Sequence, residues 1–182
     1  TVSGAVLTED RDGNPGSAYS FDGVDDYIDF GSSDLGLTGS SELTVSVWLK
    51  PDSPTNWHGT PLASHAFYRP YGIKVRGLGS ALTAQCIIMT SGGGNYIDAD
   101  SGGILVGNWH NVVCTYDGTT TSIYVDGELK NSAITSGTLT TDATPAIFAG
   151  ANPYPTHYYS GSIDDIMVWN RALSAEEIQG LQ

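Results

Sequence analysis

Basic residues are scarce in this chain: seven Lys and Arg stand against twenty Asp and Glu, giving a formal charge of −13 over 182 residues. A nucleic-acid partner needs a basic footprint to displace phosphate counterions, so that class is excluded. Such a surface suits divalent cations, and it equally serves to keep a protein soluble. No apolar run reaches membrane-span length, which excludes insertion through helices. The sequence opens at Thr1 without an initiator Met or a signal peptide, and reads as a mature or excised module.

Cysteine is nearly absent as well. Cys86 and Cys114 are the two in the chain, both in apolar strand-like runs, where a buried disulfide and two separate buried thiols are equally open. There is no Cys/His metal spacing and no N-x-[ST] sequon. The histidines are scattered. His110 beside Trp109 reads as structural, while His58, His65 and His157 fall in or near loops without a triad partner.

What the chain does have is 23 Gly, ten Tyr and many Ser and Thr, with few Leu-rich helical stretches. That composition predicts an all-β protein with many turns, and the length suits one folding unit over residues 1–182. In "LTVSVWL" (43–49), Leu43, Val45, Val47 and Leu49 share one face, and in "YGIKVRG" (71–77) Ile73 and Val75 oppose Lys74 and Arg76. "ALTAQCIIM" (81–89), "NWHNVVCTY" (108–116), "TSIYVDG" (121–127), "AIFAG" (146–150) and "IMVWN" (166–170) are further predicted strands. Asp117-Gly118 and Asp126-Gly127 bracket a short strand as hairpin turns would. "PDSPTNWHGTP", "SGGGNYIDADSGG" and "ANPYPTHYYSG" read as surface loops. Only the C-terminus looks helical: in "LSAEEIQGL", Ser174 and Glu177 form a capping box, with Leu173 and Ile178 at the staple positions.

"YSFDGVDDYIDFG", "LTVSVWLKP", "WHNVVCTYDGTTTSIYVDGEL" and "GSIDDIMVWNRALSAEEIQGL" follow one another in an order and spacing that resembles the laminin-G-like jelly rolls of the concanavalin A-like lectin and glucanase superfamily. The resemblance implies a two-sheet antiparallel β-sandwich (jelly roll) with a short C-terminal helix, adjacent N- and C-terminal strands, and a structural calcium ion near their junction. It puts the ligand role on Asp22 and Asp164 first, then on Asp25, Asp26 and Asp165, with Gly23 offering a carbonyl; calcium accepts such irregular sets of hard oxygens. The same acids at strand ends also suit Asx turns or surface charge. The fold hosts lectins, binding modules, adhesion domains and glycosidases alike, so it does not choose among them.

Catalysis is not expected. Glucanases that resemble this chain carry a Glu-x-Asp-x-Glu strand motif, and its five glutamates, at 9, 42, 128, 176 and 177, form none. The Arg-x-Glu-x-Arg and Gln-[Ile/Val]-His signatures of jelly-roll lyases are also missing.

Sugar recognition needs flat apolar faces for C–H groups and polar neighbours for hydroxyls. Trp57 and His58, then Tyr68, Arg69 and Tyr71, then Tyr154, His157 and Tyr158 cluster with such neighbours, and Tyr96 is a fourth candidate. Lys74 and Arg76 join Arg69 in a local reversal of charge that suits a carboxylated or sulfated sugar, and equally suits pairing with nearby Asp. Trp48, Trp109 and Trp169 read as core or inter-sheet packing. Asp98 and Asp100 are candidates for a second ion.

The expectation is a secreted or cell-surface, calcium-stabilised carbohydrate-binding module that holds a polysaccharide or glycan for attached domains of a larger bacterial protein. The rival expectations are a protein- or peptide-binding adhesion module and a ligand-free accessory domain.

Overall fold

A computed structural model describes residues 1–33, 35–52, 59–64, 70–78, 81–99, 103–140, 146–151 and 157–182, with Leu78 described by its backbone alone. The strands are β1 (Val2–Ser3), β2 (Val6–Thr8), β3 (Ala18–Asp22), β4 (Tyr27–Asp29), β5 (Leu43–Pro51), β6 (Gly59–Ser64) and β7 (Tyr71–Leu78), followed by β8 (Ala81–Thr90), β9 (Gly93–Asp98), β10 (His110–Tyr116), β11 (Thr120–Val125), β12 (Glu128–Ile134), β13 (Ile147–Ala149) and β14 (Ser160–Trp169). One short helix, α1 (Ala175–Gln179), closes the chain. Two seven-stranded antiparallel sheets form the sandwich, ordered β1-β4-β13-β6-β7-β8-β9 and β12-β11-β10-β5-β14-β3-β2. We call them the first and second sheets.

Alternation decides which side chains meet between them. Leu43, Val45, Val47 and Leu49 of β5 face Ile73, Val75, Leu82, Ala84 and Ile88 of the first sheet in one continuous core. Cys86 and Cys114 both point inward from β8 and β10, and they are bridged across the two sheets. The second Asp-Gly turn stands as expected: Asp126 and Gly127 have φ of 52° and 75°, both positive as a tight primed hairpin turn requires, whereas at the first only Gly118, at 92°, is positive. Helix α1 is held by the reciprocal bonds of Ser174 and Glu177. Leu173 and Ile178 pack with Val113 and Trp169 on the outer side of the second sheet. The Gly-rich segment read as a loop is partly strand, because β9 pairs with β8 from Thr90 opposite Gly93 to Gln85 opposite Asp98. The adjacent chain ends are real: β14 lies against β3 from Ser160 opposite Asp22 to Ile163 opposite Tyr19.

The segment between β2 and β3 is fastened by a single cation. Asp10 Oδ1 accepts the backbone N–H groups of Asp12 and Asn14, both at 2.9 Å, which folds the turn on itself and sends Arg11 outward. Arg11 lies 4.7 Å over the Trp48 ring and donates through one nitrogen to Asp164 Oδ2 at 3.0 Å and Asp165 Oδ2 at 2.7 Å. Burial, then the neighbouring Asp165 charge, raises the Asp164 pKa above its ordinary value.

Two outcomes follow from these ties. Removing the disulfide by Cys86→Ala with Cys114→Ala opens a closed loop with a sequence separation of 28, and denaturant unfolding should show a loss of about 3–4 kcal/mol. Arg11→Met keeps an apolar contact with Trp48 but leaves two adjacent carboxylates without their cation. It should cost about 1–3 kcal/mol near neutral pH. A carboxyl with a raised folded pKa favours the fold below its ordinary pKa and loses that contribution as pH rises. The melting-temperature deficit of Arg11→Met should therefore shrink on acidification, and a deficit independent of pH would refute the electrostatic account.

Candidate functional site

Two polar centres emerge, one at a chain crossing and one on a sheet face. At the first, the chain leaves β3 in the second sheet and enters β4 in the first through residues 23–26. Asp22 Oδ1 accepts the N–H of Val24 at 2.8 Å and of Asp25 at 3.4 Å, while Asp26 Oδ2 accepts the N–H of Asp22 at 2.8 Å. These bonds build an Asx-type turn and leave the second oxygen of Asp22 and of Asp26, together with both oxygens of Asp25, free of any hydrogen bond among the described residues. Gly23 stands at φ 81°, and a Cβ there would meet Ser160 Cβ at 2.8 Å, so the turn hugs β14 in a way only glycine permits. Gly4 is equally constrained, since a Cβ on it would lie 1.7 Å from Asp26 Oδ1.

One ligand atom from each of Asp22, Asp25 and Asp26 lies within 4.8 Å of the others. Asp26 is buried, whereas Asp22 and Asp25 are exposed. No Lys, Arg or His among the described residues forms an ion pair with the trio. Three carboxylates held together raise one another's energy unless a cation or donors compensate. The donor set is entirely oxygen, which fits a hard divalent ion such as calcium.

Asp164 and Asp165 do not belong to this group. Ser160 is the residue opposite Asp22, and Asp164 lies four positions further along β14, opposite Trp48. At ~3.3 Å per residue that is ~13 Å away, too far to share an ion. The six-residue ligand set expected from the paired chain ends thus divides: Asp22, Asp25 and Asp26 gather beside Gly23, and Asp164 and Asp165 pair with Arg11.

The second centre is the outer face of the first sheet. Ile73 and Val75 turn inward, so Lys74 and Arg76 turn outward together, as their alternation predicts. Lys74 lies opposite Gln85, and Gln85 opposite Asp98, forming one cross-strand polar row. Arg76 donates to both oxygens of Asp98 at 3.0 and 2.9 Å, and Gln85 Nε2 donates to Asp98 Oδ1 at 2.9 Å. Lys74 is 9% exposed, and burial followed by the Arg76 charge pulls its pKa down. His157 lies close enough for the Lys74 charge to lower its pKa, although burial is the larger cause. Tyr96, 53% exposed, stands on the same face of β9 as Asp98. Tyr158 is half-buried.

Tyr71 is corrected by its parity. It shares the inward face with Ile73, is 2% exposed in the core, and offers no platform to a ligand; burial pushes its phenol pKa well up. Trp57, His58, His65, Tyr68, Arg69, Asp100 and Tyr154 lie outside the described residues. Asp98, weighed as an ion ligand, instead accepts from Arg76 and Gln85. Gln85 went unmarked in the sequence because nothing within "ALTAQCIIM" distinguishes it; only the pairing of β8 with β7 and β9 puts it between Lys74 and Asp98. His110 is structural as expected: it bonds Asp126 Oδ2 through Nδ1 at 2.8 Å and accepts the Leu105 N–H at Nε2 at 2.9 Å.

Two of the three tryptophans are placed otherwise than expected, while Trp169 does pack against a hydrophobic cluster. Trp48 lies on the outer face of the second sheet under Arg11, Lys50 Nζ sits 5.4 Å over the Trp109 ring, and Trp169 packs beside helix α1. None of the three belongs to the inter-sheet core.

Solved structures share this architecture at low sequence identity. Domain 4 of AbnA, an extracellular GH43 arabinanase from Geobacillus stearothermophilus solved in complex with arabinotriose, is 21% identical with a TM-score of 0.68, covering 100% of this chain and 81% of that one. A heptameric SAP-like pentraxin from Limulus polyphemus is 18% identical with a TM-score of 0.66, over 88% of this chain and 78% of that one. The receptor binding domain of botulinum neurotoxin D is 17% identical with a TM-score of 0.70; the match spans the whole of this chain and 46% of the toxin domain. No curated protein matches in sequence. Residues 22–179 match the Laminin_G_3 family, so the chain belongs to that branch of the concanavalin A-like lectin/glucanases superfamily.

Proposed function

We propose that the chain is a non-catalytic carbohydrate-binding module that takes a polysaccharide or glycan on the outer face of its first sheet. The observation that carries this reading is the part-exposed Arg76–Asp98 pair beside the exposed ring of Tyr96, with the buried Gln85 bracing Asp98 from β8. The Arg76 donor and Asp98 acceptor held side by side match adjacent sugar hydroxyls, each of which donates and accepts, and the exposed ring of Tyr96 on the same face suits the C–H side of a pyranose or furanose. His157 and Tyr158 border the same centre in this reading. Arg76 already has its carboxylate, so the surface favours a neutral hydroxyl-rich sugar over a carboxylated or sulfated one. The arabinotriose complex of the AbnA domain supports a sugar ligand for this fold.

In the same reading the module acts by tethering. Binding would hold an attached catalytic or surface domain at high effective concentration near its polymer without reacting itself. The inter-sheet disulfide suits a secreted or cell-surface location, where thiols remain oxidised. Calcium would be held by Asp22, Asp25 and Asp26 and would lock the crossing between sheets by neutralising their charges.

A glycan array containing neutral arabino- and gluco-oligosaccharides beside uronic and sulfated ones should show binding in the neutral set. Arg76→Ala and Tyr96→Ala should each weaken it roughly tenfold. Retention of every glycan signal in both variants would move the ligand off this sheet face, and silence on the whole array would remove the sugar reading. Separately, chelation should lower the melting temperature by about 5–10 °C if calcium is held at about a hundred times its Kd. Asp25→Asn should blunt that shift, and an unchanged melting temperature would dismiss the ion.

A further inference from the structure

Two edge strands meet where the sandwich closes beside the Arg76–Asp98 pair. β9 ends the first sheet and β12 ends the second, so each has one side of its backbone without a strand to pair with. Asparagine side chains bridge the gap. Asn95 Nδ2 donates to Ile134 O at 3.0 Å, and in the opposite direction Asn131 Nδ2 donates to Asp98 O at 2.9 Å. The two bridges bracket the stretch of β9 that carries Tyr96 and Asp98.

Asn131 is aimed by an irregularity in β12. Its register with β11 shifts between Ile123 and Tyr124, so Leu129 is opposite Tyr124 on the outer side while Asn131 is opposite Ile123 of the core and turns toward the first sheet. The amide is oriented as well. Its Oδ1 accepts the N–H of Ser132 at 2.8 Å, which leaves Nδ2 for Asp98.

The Asn131 bond falls on a peptide that is also held from its other side. The carbonyl of Asp98 and the N–H of Ala99 belong to one planar unit. Ala99 N–H donates to Ala84 O of β8 at 2.8 Å, so the unit is clamped between β8 of its own sheet and β12 of the other. Thr83 Oγ1 donates to Ala99 O at 2.7 Å and fixes the next peptide. Arg76 and Gln85 grip the Asp98 carboxylate, but that grip lies at the end of a side chain and does not hold the backbone. An edge strand opens more readily than an inner one, and opening of β9 would carry the carboxylate and the Tyr96 ring away together.

We propose that Asn131 is a positioning residue for the glycan face: from the edge of the second sheet it holds the Asp98 peptide, and so sets where the Asp98 carboxylate and the Tyr96 ring stand for a sugar. It touches no ligand itself. The assignment rests on the glycan reading of that face, and it makes recognition depend on a strand of the opposite sheet, 33 residues further along the chain.

Asn131→Asp keeps an oxygen for the Ser132 N–H and turns the other toward Asp98 O, acceptor against acceptor. Calorimetric titration with arabinotriose and with cellotriose, well below the melting temperature, should show binding weakened about tenfold in Asn131→Asp and about threefold in Asn131→Ala. Hydrogen exchange of the ligand-free chain should show the Ala99 amide exchanging about tenfold faster in both. Ser132→Ala, the next position on β12, should leave both readings at their wild-type values, which separates the amide's role from a general loosening of that strand. If the added charge prevents folding, Asn131→Ala carries the test. Unchanged exchange at Ala99 in the Asn131 variants would overturn the clamp, and faster exchange with unchanged sugar affinity would overturn the positioning role. Failure of the wild type to bind either trisaccharide at millimolar concentration counts instead against the glycan reading and removes the positioning role with it, whatever Ala99 does.

Discussion

The antiparallel pairing of β3 with β14 is the constraint on which the rest of the molecule depends. It joins the two ends of the sequence, so its loop-closure entropy is offset only by contacts made elsewhere in the sandwich. Phe21 and Ile163 supply part of that return in the shared core, and Gly161 opposite Phe21 lets β14 approach β5 at Lys50 and Pro51 where a Cβ would clash. Once Ser160 is opposite Asp22, the turn after Asp22 must run against β14, and the position of every acid near the junction is set. The pairing ends at Ile163 opposite Tyr19, and Ile163 and Tyr19 line a cleft there together with Phe21, Ile28 and Ala149.

Acidic residues at strand ends therefore serve two different ends in one protein. In the 22–26 turn they satisfy backbone N–H groups that would otherwise be left over as the chain passes between sheets, and they keep free oxygens turned toward one another. At 164–165 they receive Arg11 and so fasten a segment that has no long strand of its own. With so few bases, placement matters more than number. Arg76 pairs with Asp98, Arg171 with Glu177, and Lys130 with Glu128. Each basic group that pairs in this way leaves the remaining acids to be balanced by backbone donors, by water or by a bound cation.

The sequence made the faces legible but not the neighbours. Alternation in β5 and β7 identified the inward residues, and the Ser174–Glu177 box located the helix, because both are local patterns with a physical period. Tyr71 was misread because aromatic residues near a Pro-rich turn look exposed, although its parity with Ile73 already put it inside. Trp48 has the opposite parity to Val47 and Leu49, and its size suggested a core role that the alternation denied. The separation of Asp164 from Asp22 could not be read at all. It depends on an inter-strand register, and in β14 on a bulge, neither of which leaves a mark within either segment. For the same reason Gln85 acquires a role only when three strands are laid side by side.

The two outer faces of the sandwich are not equivalent, and that asymmetry bears on where a large ligand can lie. On the second sheet, helix α1 with Leu173 and Ile178 covers Val113 and Trp169, and Arg11 and Lys50 lie over Trp48 and Trp109. Those rings already have partners, so a sugar stacking there would first have to displace a cation from each. On the first sheet, Tyr96 and the Arg76–Asp98 pair keep contact with solvent, and among the described residues no helix packs over them. What is accessible there is the Arg76–Asp98 pair and the Tyr96 ring, while Lys74 and Gln85 beside them are buried. That difference, more than the number of aromatic residues on either side, is what supports the exposed edge of the face formed by β7, β8 and β9 as the place we propose for a glycan.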